Sequence, residues 1–239
     1  MWDIESSPSL ADVWSLWNTT VSLSQLRESS RVICFAAKWA GERKTLFWSE
    51  FRDGHEEMVR AAHSLLSEAD VVVDYNGNKF DRPMMNREFA KLRLGPPAPY
   101  RAIDLYRVIR KQFRFPSNKL EFVLRDLELP EKVKHEGHSL WVKCMAGDAR
   151  AWKSMERYNR QDVGSLEALH DRVLPWITTY PSRRLYDGDV CPNCTRGELV
   201  REGYAYTAVG KYQRYSCKHC GTWSRGSRRI DGVDIQGVV

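Results

Sequence analysis

The sequence predicts an α/β fold with helices on the faces of a sheet, followed by a small, separate β-module. Two observations support the α/β fold: three strand-like segments come first, and helical and strand-like segments then alternate. A third supports the module, because from about Pro181 the chain is rich in Gly, Tyr and Arg and has little helical period. We therefore expect two domains, residues 1–180 and residues 181–239.

The first half of the α/β domain should begin with strands. The predicted strands are a single strand at residues 1–6 and a hairpin whose two strands are residues 32–38 and 44–48. The first strand is expected to be cut short at its beginning, because only two residues precede Asp3. Asp53-Gly-His-Glu56 has the pattern of a capping box and should open an amphipathic helix.

In the second half, Val71-Val72-Val73 is a short apolar run that suits a buried parallel strand. Its other predicted elements are a helix at 80–92, a strand at 101–104, and helices at 105–114, 118–128 and 148–174. Six tryptophans have apolar neighbours and are expected in the core: Trp14, Trp17, Trp39, Trp48, Trp141 and Trp152.

Charge and hydropathy narrow the class of protein. The formal net charge is +6, of which +4 falls from Pro181 onward, a balance that fits a polyanionic partner such as nucleic acid. No apolar run approaches the roughly 20 residues needed to cross a bilayer, and no signal peptide opens the chain. We expect a cytoplasmic protein with no membrane partner.

Four acidic residues occupy positions from which they could meet. Asp3 and Glu5 are two apart and share one face of a strand. Asp81 opens a helix at the carboxyl edge of the sheet, where open α/β sheets place their sites. Asp162 lies on the last long helix, with Tyr158 one turn earlier on the same side.

Such a cluster needs cations. Two carboxylates about 4 Å apart repel by roughly 4 kcal/mol at an effective dielectric constant near 20. Oxygen ligands select hard ions, so the four predict two Mg²⁺ or Mn²⁺ ions. Two such ions stabilise both the attacking and the leaving oxygens of a phosphoryl displacement, and the predicted chemistry is phosphodiester hydrolysis.

These residues resemble a known family. Asp3-Ile-Glu5, Asn76-Gly-Asn-Lys-Phe-Asp81 and Tyr158-Asn-Arg-Gln-Asp162 look like the three motifs of the DEDD exonucleases, in the tyrosine (DEDDy) form. The segment that begins at Lys119-Leu-Glu-Phe resembles the family's stretch between its second and third motifs. The resemblance covers about residues 1–176. The chain resembles DnaQ-like proteins, the proofreading domain of family B polymerases and stand-alone exonucleases. Stand-alone exonucleases of this kind are often phage-encoded, and a phage-encoded one would act in the host cytoplasm.

The resemblance implies an RNase H-like mixed five-stranded sheet flanked by helices, and a 3′–5′ exonuclease that releases nucleoside 5′-monophosphates from single-stranded or frayed DNA. Asp3, Glu5, Asp81 and Asp162 would be the metal ligands. Tyr158 would position the attacking water, since a phenol with a pKa of about 10 is a poor base at neutral pH. With no polymerase domain beside it, any proofreading would act in trans, with a DNA polymerase or replisome protein as partner.

A basic stripe is the predicted nucleic-acid surface. Its residues fall at helical spacing or flank the helix: Arg107, Arg110, Lys111, Arg114 and Lys119. The alternative is a solvated helix face over buried aromatic residues. Asp104, at the end of a predicted strand, could support the site or could simply cap the next helix.

The tail carries two C-x-x-C pairs, Cys191/Cys194 and Cys217/Cys220. This spacing predicts a zinc ribbon in which four thiolates hold one structural Zn²⁺. Arg214, Lys218 and Arg225 lie near the second pair and favour contact with nucleic acid, and docking onto a protein is the rival role.

Three other functions remain open. The protein could be an exoribonuclease, because no residue decides between DNA and RNA. It could also be a weakly catalytic or non-catalytic adaptor that works through its ribbon. An RNase H-like endonuclease is disfavoured by the pairing of Tyr158 with Asp162.

Overall fold

A computed structural model describes residues 1–17, 19–130, 136–181 and 190–233 of the chain. The chain forms two compact units, Met1–Leu169 and His170–Val239. The predicted boundary after residue 180 adjoins residues 182–189, which lie outside the described part, and it stays a prediction. Within the described ranges, no helix is both long enough and apolar enough to cross a membrane.

Five strands form the centre of the first unit. β1 (Trp2–Ser6) pairs antiparallel with β4 (Val32–Ala37), and β4 pairs antiparallel with β5 (Leu46–Ser49). β6 (Val71–Asp74) pairs in parallel with β7 (Arg101–Asp104). All five match strands predicted from the sequence, and both pairing directions occur.

The five strands do not form the single sheet that was expected. Among the described residues, the strands divide into a sheet of three (β1, β4, β5) and a sheet of two (β6, β7). One physical reason is visible at Ile4, in the middle of β1. Its backbone N–H donates to Asp81 Oδ1 at 3.3 Å, so this donor is used by a carboxylate rather than by strand pairing.

Two tryptophans expected in the core lie on the surface. Between β1 and β4, the short strands β2 (Leu10–Ala11) and β3 (Leu26–Glu28) pair antiparallel. Trp14 and Trp17 lie in the segment that joins β2 to β3, and they are 99% and 82% exposed. The described residues on either side, 12–17 and 19–22, form neither helix nor strand, so they provide no packed face for these rings. The prediction holds for Trp152, which is buried and donates from Nε1 to Cys144 O at 2.9 Å.

The described residues contain seven α-helices: α1 (Glu50–Asp53), α2 (His55–Glu68), α3 (Asp81–Lys91), α4 (Leu105–Gln112), α5 (Leu120–Asp126), α6 (His138–Met145) and α7 (Ala149–Val173). The short helices α1 and α6 were not predicted. The capping box at Asp53 was wrong, because this carboxylate accepts the backbone N–H of Ser49 at 3.0 Å and Gly54 precedes α2 instead. Asp148 caps α7 by accepting the N–H groups of Arg150 and Ala151.

The core lies on both sides of the first sheet. One cluster of buried side chains comes from β1, β4, β6, α2 and α3, and a second comes from β4, β5, α6 and α7. Neighbouring residues of β4 point to opposite sides, with Phe35 in the first cluster and Ala36 in the second. This packing lays α7 across the sheet that contains β1.

The turn after β6 depends on Gly77. A Cβ at this position would lie 2.2 Å from Cγ and 2.3 Å from Oδ2 of Asp74. The preceding residue, Asn76, has a φ of 64°, and its N–H donates to Asp104 Oδ1 at 2.8 Å.

We therefore expect Gly77→Ala to destabilise the fold by about 1–3 kcal/mol, because the new methyl group displaces a buried carboxylate. Urea unfolding followed by circular dichroism measures this change. Gly95→Ala is the matched control, since a Cβ there meets nothing within 4 Å. Equal unfolding midpoints for the two variants would contradict the expectation.

The second unit contains an antiparallel sheet of three strands: β8 (Leu199–Tyr206), β9 (Gly210–Cys217) and β10 (Trp223–Gly232), in the order β10–β9–β8. The small β-module predicted for this part of the chain is thus a sheet of three strands. Asn193 lies inside the first C-x-x-C pair and is buried. Its side-chain amide donates to Leu174 O at 3.0 Å and to Thr222 Oγ1 at 3.1 Å.

Candidate active site

Three carboxylates from distant parts of the chain meet beside β1. Asp3 and Glu5 project from the same side of the strand, and Asp162 reaches them from α7. One carboxylate oxygen from each lies within 4.8 Å of the other two. A set of oxygen ligands this close suits a hard divalent cation, since the carboxylates repel one another without one.

A buried asparagine fixes α7 over the strand. Asn159 is fully buried, and its Nδ2 donates to Asp3 Oδ2 at 2.8 Å. Lys38, which follows β4, forms an ion pair with Glu167 further along α7. These contacts orient the Asp3 carboxylate and set the position of the helix that carries Asp162. Asn159 was not predicted as a site residue, although it lies within the third motif.

Tyr158 lies beside the three carboxylates and is 8% exposed. Burial raises its pKa well above the usual value, and the charges of Glu5, Asp162 and Asp3 and a hydrogen bond with Asp162 raise it further. The edge of the Trp141 ring packs against the phenol, with the two ring centroids 6.0 Å apart. Without bound metal, Tyr158 is therefore a neutral phenol at neutral pH and can donate a hydrogen bond.

Asp81 lies against the same strand from the other direction. It is the first residue of α3, is 5% exposed, and accepts the N–H of Ile4, the residue between Asp3 and Glu5. Its carboxylate is not part of the 4.8 Å group found among the described residues. The structure thus brings three of the four predicted carboxylates together and connects the fourth to their strand through its backbone.

A further buried acid, Asp74, was not identified from the sequence. It ends β6, is fully buried, and accepts two hydrogen bonds from Arg82, from Nε to Oδ2 at 3.0 Å and from Nη2 to Oδ1 at 3.2 Å. Asp104 ends the neighbouring strand β7 and caps α4 by accepting the N–H of Tyr106, which confirms the capping interpretation. The only sequence signal for Asp74 was its place at the end of an apolar run.

Burial shifts the titration of two of these carboxyls. It raises the pKa of Asp74 to about 7, against the opposing effect of Arg82, and raises that of Asp81 to about 6, against the N–H groups of Asp81 itself and Ile4. The folded protein therefore holds these protons to higher pH than the unfolded chain does. Their stabilising contribution is complete below about pH 4 and is lost as the pH rises through 6 to 7.

We expect the metal-free protein to lose about 4 kcal/mol of unfolding free energy between about pH 5 and pH 8 through these two groups. In Asp81→Asn the loss should be smaller by about 1 kcal/mol, because one of the two titrations is removed. Urea unfolding at both pH values measures it. Asp126→Asn, at an exposed position on α5, is the control and should behave as the wild type. Constant stability across this range would refute the expectation.

The predicted basic stripe lies on the solvent side of α4 and beyond it. Leu105 and Ile109 face the core. All five stripe residues are exposed: Arg107, Arg110, Lys111, Arg114 and Lys119. The Arg110 guanidinium lies 5.7 Å from the centre of the half-buried Tyr106 ring. The exposed face leaves these cations accessible, and their contact with nucleic acid stays a prediction.

The four predicted cysteine ligands lie together in the second unit. Their sulfurs lie within 4.8 Å of one another, with Cys191 and Cys220 at 3.7 Å and Cys194 and Cys217 at 3.8 Å. Four ligands placed tetrahedrally at about 2.3 Å from a Zn²⁺ ion lie about 3.8 Å apart, so the arrangement fits this ion. Burial opposes ionisation of Cys217, but the N–H groups of Cys220 and His219 outweigh it and lower the pKa to about 7.

Aromatic and basic side chains alternate across the three-stranded sheet of this unit. Lys211 lies 4.1 Å from the centre of the Tyr204 ring, and Arg225 lies 4.1 Å from that of Tyr212. The guanidinium of Arg214 stacks over Trp223 at 4.6 Å. Such cation–π pairs hold the cations at the surface, where they are available to an anionic partner.

A protein-family model matches more than half of the chain. The family model RNase_H_2, described as RNase_H superfamily, matches residues 23–174. The matched range contains Asp81, Tyr158 and Asp162, and it begins after Asp3 and Glu5. None of the curated proteins matches the chain.

Proposed function

We propose that this chain, which belongs to the RNase H superfamily, is a two-metal-ion 3′–5′ exonuclease. Membership of this superfamily indicates a hydrolytic nuclease with a nucleic-acid substrate. The observation that carries the finer proposal is the meeting of Asp3, Glu5 and Asp162 beside the phenol of Tyr158. The product would be nucleoside 5′-monophosphates from the 3′ end of single-stranded or frayed DNA.

The carboxylates of Asp3, Glu5 and Asp162 would hold the divalent cations, with Asp81 as the fourth ligand. The ligands are all oxygen atoms, a set that favours Mg²⁺ or Mn²⁺ over Zn²⁺. When bound, such cations activate a water molecule and neutralise the charge that develops on a scissile phosphate. RNase H-like nucleases generally use divalent metals, which agrees with this ligand set.

The side chains around the carboxylates have distinct roles in this proposal. Tyr158, a neutral phenol, donates a hydrogen bond that orients the attacking water, while the proton of that water leaves to solvent or to a carboxylate. Asn159 holds Asp3 in its ligand orientation through the 2.8 Å hydrogen bond. The hydrogen bond from Ile4 favours the charged form of Asp81 and keeps it beside β1.

Digestion from the 3′ end is supported by the resemblance of the Tyr158–Asp162 segment to the DEDDy motif. The zinc-binding unit would then be a structural module that holds the nucleic acid through the arginines on its sheet. The same surface could serve a non-catalytic adaptor, and the assay below separates the two roles.

The test is a nuclease assay on matched 20-nucleotide DNA and RNA strands labelled at the 5′ end, with Mg²⁺, with Mn²⁺ and with neither. The proposal expects a ladder of products that shortens one nucleotide at a time, only when metal is present. A faster reaction on RNA would change the substrate to RNA and keep the mechanism. If both labelled strands stay intact with either metal, the nuclease proposal fails and the adaptor role stands.

A further inference from the structure

A second positively charged surface lies on α7, away from the carboxylates. It is a shallow groove between α7 and the turn that leads into β5. Its walls are formed by Lys44, Thr45, Lys153, Glu156, Arg157, Arg160, Gln161 and Gly164. The six residues from α7 recur every three or four positions, so they lie along one face of the helix.

This face is opposite the one that carries the metal ligands. Asp162 follows Lys153 by nine residues, which is about two and a half helical turns. The width of an α-helix with its side chains, about 10 Å, therefore separates the groove from the carboxylate cluster. The groove is not part of the active-site cleft.

The groove holds four cations and one carboxylate. Arg160 is already engaged, because its Nε donates to Glu156 at 2.8 Å, its Nη1 donates to Thr45 O, and its guanidinium lies 5.6 Å from the centre of the Phe47 ring. In the part of the chain that the structure describes, Lys44, Lys153 and Arg157 form no salt bridge. These three cations are therefore exposed in the groove, whose one carboxylate, that of Glu156, is paired with Arg160.

Gly164 keeps the floor of the groove open. It lies in the interior of α7, where glycine is the weakest helix former apart from proline. A Cβ at this position would meet nothing within 4 Å, so packing does not require a glycine here. The absence of a side chain leaves the helix backbone accessible from the groove, as close approach of a ligand would require.

We propose that this groove is an exosite for the phosphodiester backbone of a nucleic-acid strand. Its shallow form and surplus positive charge match an extended polyanion rather than a compact ligand. The inference rests on the proposed function for its substrate class, and it adds a second contact about 10 Å from the cleavage site. A strand held there is bound at a point beyond the nucleotides that enter the active site.

The test is the binding of fluorescently labelled 20-nucleotide DNA and RNA strands to the full chain, measured by fluorescence anisotropy without added Mg²⁺ or Mn²⁺. For Lys153→Ala/Arg157→Ala we expect a Kd about 10-fold higher, and a slope of log K against log salt that is smaller by about 1.4, since two phosphate contacts are lost. Gly164→Leu should weaken binding several-fold with no change in net charge, because it fills the floor. Which strand loses more affinity identifies the natural backbone.

The matched control is Arg60→Ala/Arg125→Ala, which removes the same charge from exposed positions on α2 and α5. Its Kd should stay within about twofold of the wild type, since these cations lie on other helices and do not form the walls of the groove. Groove variants that bind as tightly as the wild type would overturn the exosite, even if metal-dependent cleavage is observed. Groove variants that lose binding in a protein that cleaves neither strand would support the exosite and reject the nuclease proposal.

Discussion

Asp162→Asn is expected to lower metal-dependent nucleotide release by about 10³-fold or more, because losing one ligand forfeits several kcal/mol of transition-state stabilisation. Asp162 is buried on α7, and one of its carboxylate oxygens lies within 4.8 Å of a carboxylate oxygen of Asp3 and of Glu5. The substitution keeps the shape of the side chain and removes only its charge. Stepwise shortening of a 5′-labelled strand under Mg²⁺ and Mn²⁺ measures the effect.

The same substitution should have the opposite effect on the metal-free fold. Carboxylates about 4 Å apart repel by roughly 4 kcal/mol at an effective dielectric constant near 20, so removing one charge relieves part of this repulsion. We therefore expect Asp162→Asn to raise the melting temperature without metal. Added Mg²⁺ should raise the melting temperature of the wild type and leave that of the variant unchanged.

Asp126→Asn is the control, because it removes one negative charge from an exposed position on α5. It should retain both activity and the stabilisation by Mg²⁺. Full activity in Asp162→Asn would remove the residue from the ligand set. A lower melting temperature for the metal-free variant would show that Asp162 serves the fold rather than an ion.

The second large effect is expected from loss of zinc. Zinc binding of this type contributes an apparent folding free energy of about 10–16 kcal/mol, more than the core of so small a sheet supplies. We expect Cys220→Ser, or a strong zinc chelator, to unfold β8, β9 and β10. Limited proteolysis followed by mass spectrometry locates the new cleavage sites, and metal analysis gives the stoichiometry, expected to be one zinc per chain.

Cys144→Ala is the matched control for that experiment. Cys144 is buried in the first unit among residues of α6 and α7, so its loss should cost some packing and leave the zinc in place. Protease resistance of β8–β10 in the zinc-free protein would contradict a structural role for the ion. A metal analysis that finds no zinc in the wild-type protein would also contradict a structural role for the ion.

The sequence predicted most elements because its signals were local. The two-residue spacing of Asp3 and Glu5 placed both on one strand face, and the apolar run at Val71 marked a buried strand. The C-x-x-C spacing identified the cysteine cluster before any fold was known. Helix α6 was missed because its apolar residues follow one another without a helical period, a pattern that fits a strand equally well.

What the sequence could not supply was contact between distant residues. Neither the hydrogen bond of Asn159 to Asp3 nor the ion pair of Asp74 with Arg82 produces a periodic pattern in the sequence. The exposure of Trp14 was mispredicted for a related reason, since apolar neighbours in sequence do not ensure a packed surface in space. The residues of the candidate site could therefore be predicted from motifs, but the contacts that support them could not.

The separation of the two halves of the carboxylate cluster has a consequence for synthesis on the ribosome. Asp3 and Asn159, which hold each other by a hydrogen bond, are 156 positions apart. At about 5–20 residues per second, Asp3 emerges about 8–30 seconds before its partner is made. A nascent or prematurely terminated chain that ends before α7 has strand β1 but lacks Asp162, so under the proposed function such fragments would not degrade the nucleic acid around them.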